Sequence, residues 1–329
     1  VSTAHLAAIN ATPHAQVTAV YSSRPLDAAE LQARHGCPLT VYHDLAALLA
    51  DPSIHAVSVC SYPWLHARHA IAAARAGKHL IIEKPLALSW PDCLAIREAV
   101  TRARVKTCIC FECRFSAQFL STRAILDAGL LGTLHYGEVD YYHGIGPWYG
   151  QYRWNVKKSG GGSALLSAGC HALDALLLCM DGEVAEVHSL GARSRSEHFT
   201  PYEYDTTSVT LLRFRDGRVG KTAAVIDCLQ PYYFHTHLVG SEGSLLDNKF
   251  HSARLGALDK NRWSQLALSP VDSGDVKDHP YQTQFEAFFA ALERGEQMPL
   301  TSLAHALKTH EVLFAADKSA RTGRPVKLG

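Results

Sequence analysis

The chain has 329 residues, 47% of them apolar, enough for two domains and a sizeable core. Its formal net charge is +1 with Lys and Arg dispersed, which argues against nucleic acid or an anionic membrane surface as the main partner. No run reaches the roughly 18 apolar residues of a membrane span, and the N-terminal residues lack the pattern of a secretory signal. The nine scattered cysteines suit a reduced, cytoplasmic chain.

In chain order, the first third alternates helix and strand. Hydrophobic periodicity predicts helix over 4–9, strand over 16–21, helix over 27–35 and 45–49, strand over 56–60 and helix over 65–76. Strand over 79–83 follows a Gly77 turn, then helix over 90–103 with Ser89 as cap and Pro91 in its first turn, and strand over 105–111. Such alternation with short links predicts a doubly wound parallel sheet.

The pattern then changes. Helix is expected over 115–128, stopped by Gly129, and an alternating strand over 132–142. A Gly-rich loop, 159–162, opens a helix over 163–180. Strands follow over 185–192, 206–213, 220–227 and 236–240, with Asp216-Gly217 as a hairpin turn, and helices over 281–294 and 302–322 close the chain. This half reads as an α+β domain with an open-faced, mainly antiparallel sheet. The division falls at 1–112 and 113–329.

The strand over 79–83 ends on Glu83-Lys84, and Pro85 follows. A strand buried on both faces has little use for a charged pair at its C-terminal end, which is where ligands sit in open α/β sheets. Lys84 is therefore a candidate for chemistry, with Pro85 fixing its direction. On the helix over 163–180, Ser167, His171 and Asp174 share one face at i, i+4 and i+7 among leucines, as a stripe lining a site would. Cys110-Phe-Glu-Cys113 lacks the helix start of a redox pair and a partner motif for zinc. His235 and His237 share one strand face without an evident acidic third ligand, so no metal site is expected.

Gly77-Lys78-His79 leading to Glu83-Lys84-Pro85 resembles the signature of the Gfo/Idh/MocA oxidoreductases. Further matches are Asp51-Pro52 with Ala56-Val57, Pro63 with His66, and Phe111 with Arg114-Phe115. Gly129 and Gly132, Gly160-Gly161-Gly162 with Gly169, His171 and Asp174, and the run Ser319 to Val326 complete the series. The resemblance implies a Rossmann-type dinucleotide-binding domain followed by a substrate-binding and oligomerisation domain. It also implies interconversion of a hydroxyl and a carbonyl on a sugar, cyclitol or related polyol, with Lys84 and His171 handling the proton. Cofactor contacts are expected from Ser61, Pro63, His66, Glu83, Lys84 and Arg114. Many family members carry Asp where this chain has Ser167, so either His171 works with Lys84 alone or Asp174 takes over.

After the strand over 16–21, where NAD enzymes place an acid, stand Ser22, Ser23 and Arg24, which suit a 2′-phosphate. NADP(H) is expected over NAD(H). Substrate contacts are expected from Lys84, Tyr142, Trp148, Arg153, Ser167 and His171, with stacking aromatics and an Arg for hydroxyls. The Gly-rich turn that cradles the pyrophosphate is absent, and Val1 to Leu6 resembles the middle of the family's first helix. Roughly 15–20 residues, one strand and its turn, are expected to be missing ahead of it. Either the chain is a fragment or it has lost normal cofactor binding. The rival functions are a non-catalytic binding or regulatory homologue and a redox-neutral, NAD-dependent glycosidase. Pairing through the open sheet into a homo-oligomer, dimer or tetramer, is expected.

Overall fold

A computed structural model describes residues 1–268 and 279–329. They fall into two compact units, one of Val1–Glu112 with Pro280–Ala306, the other of Cys113–His279 with Leu307–Gly329. The boundary near residue 112 is where the sequence pattern changes. The segment Pro280–Ala306, assigned on sequence to the second domain, returns to the first. Its side chains explain why: Gln284 donates to the Ile109 carbonyl at 2.9 Å, and Tyr281 donates to Glu83.

The first unit runs α1 (Ser2–Asn10), β1 (Ala19–Tyr21), α2 (Ala28–His35), β2 (Thr40–Tyr42), α3 (Leu45–Ala50), β3 (Ala56–Val59), α4 (His66–Arg75), β4 (His79–Ile82), α5 (Trp90–Ala103) and β5 (Thr107–Ile109). All its strand pairs are parallel, in the orders β1-β2 and β3-β4-β5. Local chemistry sets the helix ends. Asp27 and Ser89 accept backbone N–H bonds from Glu30 and Asp92, and left-handed Gly36 closes α2. β4 is the central strand of its sheet, and Leu80, Ile81 and Ile82 are at most 1% exposed, so the run is apolar on both faces. Strand β2 escaped the sequence reading. Three residues cannot show an alternation, and only pairing with β1 makes them a strand.

The second unit contains α6 (Ala117–Asp127), β6 (Leu134–Tyr142), two single-turn helices α7 (Tyr152–Asn155) and α8 (Lys158–Gly161), and α9 (Cys170–Met180). Strands β7 (Val184–Ala192), β8 (Thr207–Phe214), β9 (Val219–Val225), β10 (Tyr233–Gly240), β11 (Gly243–Leu246), β12 (Lys249–Ser252) and β13 (Ser264–Gln265) follow. Helix α10 (Tyr281–Glu293) belongs to the first unit, α11 (Leu303–Thr322) enters the second, and β14 (Val326–Lys327) ends the chain. Among the described residues these strands form one nine-stranded sheet, ordered β13-β12-β11-β10-β6-β9-β8-β7-β14. Within this sheet, among the described residues, only β6 and β9 pair parallel. Gly217, at φ +92°, makes the expected turn between β8 and β9.

The stretch Lys158–Met180 differs from expectation in two ways. It is long and apolar enough to cross a membrane by length and composition, but most of it is buried within the protein, as a core helix is. It is also not one regular helix, because Leu165–Gly169 forms a π turn ahead of α9. α9 lies on β6 and β9. Gly169 permits the approach: a Cβ there would stand 2.3 Å from the Cβ of Ala224.

Candidate functional site

In the first unit the candidate residues gather at the C-terminal ends of β1, β3 and β4. Lys84 is half-buried one residue beyond Glu83, and the Lys84–Pro85 peptide is cis. Glu83 is 6% exposed. Its Oε1 accepts from His5 Nε2 at 2.8 Å and from the Tyr281 hydroxyl at 2.9 Å, while Oε2 accepts the Lys84 N–H at 3.2 Å. Burial works against the Glu83 carboxylate, but the His5 hydrogen bond and charge, with Lys84 and Tyr281, outweigh it and hold its pKa down to about 2. Burial likewise works against a charge on His5, yet Cys60 and Glu83 push its pKa up to about 10. Glu83, expected to touch a cofactor, is thus the buried anchor of the turn carrying Lys84.

His66 is displaced from its expected role in the same way. The ring is 1% exposed and bridges two strand-end loops, Nδ1 lying 2.7 Å from the Pro85 carbonyl oxygen and Nε2 2.9 Å from that of Ser61. Burial lowers its pKa, while the two carbonyls favour the charged ring. Pro63 is buried at the start of a single turn, Pro63–Leu65, and the Ser61 hydroxyl lies 3.0 Å from His69 Nδ1. Beyond β1, Ser22 Oγ accepts the Arg24 N–H at 3.0 Å, shaping the loop, and Ser23 and Arg24 are exposed. Strand-end loops are where a dinucleotide lies on such a sheet. The residues that would hold it are Ser22, Ser23, Arg24, Ser61 and Lys84.

In the second unit His171 sits on α9, 3% exposed. Its ring centroid is 6.5 Å from that of His279, which lies 6.5 Å from Tyr232. Tyr232 packs edge-on against Tyr141 and His143, and Tyr149 against His143. Sequence reasoning missed Tyr232 and His279 altogether, since they are distant in the chain and carry no local motif. The described hydrogen bonds of Asp174 go to other residues than the imidazole. Arg114 binds its Oδ2 through Nε at 2.6 Å and its Oδ1 through Nη2 at 2.7 Å, and Thr309 donates to Oδ1 at 2.7 Å. Arg114 is consequently committed to Asp174, 5% exposed, rather than offered to a cofactor.

Ser167 also leaves the expected stripe. The π turn adds a residue ahead of Cys170, so the i, i+4 relation to His171 no longer stacks the two, and Ser167 meets the Tyr204 hydroxyl instead. Tyr142 falls on the other face of β6 from Tyr141, as strand alternation requires, and stands with Asp140 and Tyr233. Trp148 is 59% exposed and donates to the Gly144 carbonyl, and Arg153 is exposed.

On that outer face the register supplies the acidic neighbour not evident in sequence. Glu138 lies directly opposite His237, and His235 Nδ1 is 3.2 Å from Asp247. Glu138, His235 and His237 could together hold a metal ion. Lys221 already brings a cation there, 2.5 Å from Glu138 and 2.6 Å from Asp140.

Residues 1–111 match the family description "Oxidoreductase family, NAD-binding Rossmann fold", and residues 119–246 match "GFO/IDH/MocA C-terminal domain". The chain belongs to the Gfo/Idh/MocA oxidoreductase family. This Gfo/Idh/MocA chain is 26% identical to scyllo-inositol 2-dehydrogenase (NAD(+)) of Bacillus subtilis over 85% of its length and 80% of the relative. It is also 26% identical to myo-inositol 2-dehydrogenase of Thermotoga maritima, over 87% of the chain and 84% of the relative. The solved structure of levoglucosan dehydrogenase in complex with NADH and levoglucosan superposes with a TM-score of 0.85 over 99% of this chain and 96% of that one. At 23% identity the superposition shows the fold. The relatives are dehydrogenases of the same NAD(P)-dependent oxidoreductase family, acting on CH–OH groups of sugars and cyclitols.

Proposed function

We propose that this Gfo/Idh/MocA member interconverts a hydroxyl and a carbonyl on a sugar, cyclitol or related polyol, using NADP(H) in preference to NAD(H). The observation that carries the reading is the placement of Lys84. It projects beyond the central strand of a parallel sheet, from a turn held by the buried Glu83 and by His66. An ammonium so placed can hydrogen-bond a substrate oxygen and stabilise its charge as the C–H bond gives up a hydride.

The nicotinamide supplies the hydride acceptor or donor. The protein must then hold the carbinol carbon, take or return the hydroxyl proton, and exclude water. Lys84 and His171 are assigned the proton, because an ammonium can hold the substrate oxygen and an imidazole is the side chain best suited to accept or return a proton near neutral pH. Ser22, Ser23 and Arg24 are assigned the 2′-phosphate, since an exposed guanidinium beside hydroxyls recognises phosphate better than a ribose diol. Trp148 and Arg153 remain the proposed substrate contacts outside the helix. A row of exposed apolar side chains on the sheet face, Leu190, Val209, Leu211 and Val219, supports self-association as a dimer or tetramer. Nine free thiols favour a cytoplasmic setting.

The test is steady-state oxidation of inositols and anhydrosugars with each cofactor, followed by cofactor absorbance. Lys84→Ala and His171→Ala should each cut turnover by about 10²-fold or more. A loss of about threefold or less at either position removes that residue from the chemistry. Turnover of substrate without net cofactor reduction would point instead to redox-neutral chemistry.

A further inference from the structure

Beside the Lys84 turn the first unit aligns a thiol and an imidazole, which hydride transfer leaves unused, with the carboxylate that anchors that turn. Cys60 follows the last residue of β3, half-buried, with Sγ 3.3 Å from His5 Nδ1. The opposite ring nitrogen, Nε2, lies 2.8 Å from Glu83 Oε1, and the Tyr281 hydroxyl donates to the same oxygen. Ser58 Oγ closes the row, 2.7 Å from His5 Nδ1 and 3.5 Å from Cys60 Sγ. A nucleophile in reach of a base, with that base oriented by a third buried group, is the arrangement that activates a thiol.

We propose that Cys60 is a reactive thiol, activated by His5 and Glu83, and a site of modification by soft electrophiles and peroxides. Glu83 fixes the ring so that Nδ1 faces the sulfur, and Nδ1 takes the thiol proton. Towards a haloacetamide the sulfur lone pair forms the S–C bond, the halide leaves with the C–halogen pair, and the proton passes from His5 to solvent. Towards a peroxide the sulfur is oxidised by two electrons. An S–O bond forms, the O–O bond breaks, and the departing oxygen collects the proton from His5, leaving a sulfenic acid. The raised pKa of His5 agrees with a ring set between two acceptors of positive charge. Burial first, with the carboxylates of Glu112 and Glu83 behind it, pushes the Cys108 thiol up to about 12 and drives Cys110 upward as well.

The experiment is residue-resolved mass spectrometry of the native chain after brief exposure to limiting iodoacetamide at neutral pH. Cys37, half-buried like Cys60, serves as the internal reference. Cys60 should label at least about tenfold faster than Cys37. In His5→Gln the Cys60 rate should fall to that of Cys37 while the Cys37 rate is unchanged, because glutamine can bond Glu83 but cannot take the proton. Brief peroxide followed by a sulfenic-acid probe should mark Cys60 first. Equal labelling of Cys60 and Cys37 in the native protein overturns the proposal. So does a Cys60 rate untouched in a folded His5→Gln protein. If that variant unfolds, all nine cysteines label together and the native Cys60 to Cys37 ratio decides the matter alone.

Discussion

Arg114 grips Asp174 through two hydrogen bonds of 2.6 and 2.7 Å, with both side chains at most 5% exposed. The fork of the guanidinium matches the carboxylate, and Thr309 fills a further lone pair of Oδ1. The pair ties the single turn Glu112–Phe115, just ahead of α6, to α9 one turn beyond His171.

Breaking this pair from one side leaves a buried charge without its counterpart. Asp174→Ala should lower stability by about 3–5 kcal/mol. Replacing both partners together, Arg114→Met with Asp174→Leu, should cost much less than the sum of the single changes. Urea unfolding of the three variants gives the coupling directly, and additive losses would show that the pair does not act as a unit.

The His5–Glu83 pair makes a pH prediction whose sign follows from its two shifts. His5 is raised from 6.5 to about 10, so its contribution is complete below pH 6.5 and fades as the pH climbs through 10. Glu83 is lowered from 4.5 to about 2, so its contribution is complete above pH 4.5 and fades as the pH falls through 2. The thermal midpoint of the protein should therefore decline on both the alkaline and the acid side of a plateau near pH 5–6. The His5→Gln protein should lose most of the alkaline slope. Scanning calorimetry across the range would reveal an unchanged slope if the ring is neutral in the folded chain.

Arg24 governs the proposed cofactor preference and stands clear of the core. Arg24→Ala should reduce kcat/KM with NADP(H) by about tenfold or more, the equivalent of losing one charge-assisted hydrogen bond to phosphate, with NAD(H) little changed. Parallel initial-rate measurements decide it. Higher catalytic efficiency of the native protein with NAD(H) would remove the preference itself.

Gly169 tests how closely the His171 helix must approach the sheet. The added methyl of Gly169→Ala would meet Ala224 at 2.3 Å, so helix or strand must shift. A loss of about 1–3 kcal/mol is expected, relieved in part by Ala224→Gly in the same protein. Chemical denaturation of the single and double variants measures the relief.

Much of the fold could be read from patterns lying within single elements. Ser89 and Pro91 mark the start of α5, which runs Trp90–Ala103 as its periodicity predicts, and the unbroken apolar run of β4 announces a strand buried on both faces. The isolated Glu83-Lys84 at that strand's end could be singled out for the same reason, because charge is conspicuous where the surroundings are apolar. Strands β11 and β12 were not legible, being four residues each and defined by their antiparallel partners.

The sequence by itself determined most of the element types and the parallel-then-antiparallel order of the two sheet systems, and it nominated the candidate site residues, because each depends on periodicity, caps and composition over neighbouring positions. Tertiary structure alone decided what those residues bind. The carboxylate of Asp174 turned to Arg114, Ser167 was carried to Tyr204 by one extra residue in a helical turn, and Glu83 took its proton partner from His5, 78 positions away. A buried polar group must be satisfied by whatever the packing brings within about 3 Å, and that choice is not made along the chain.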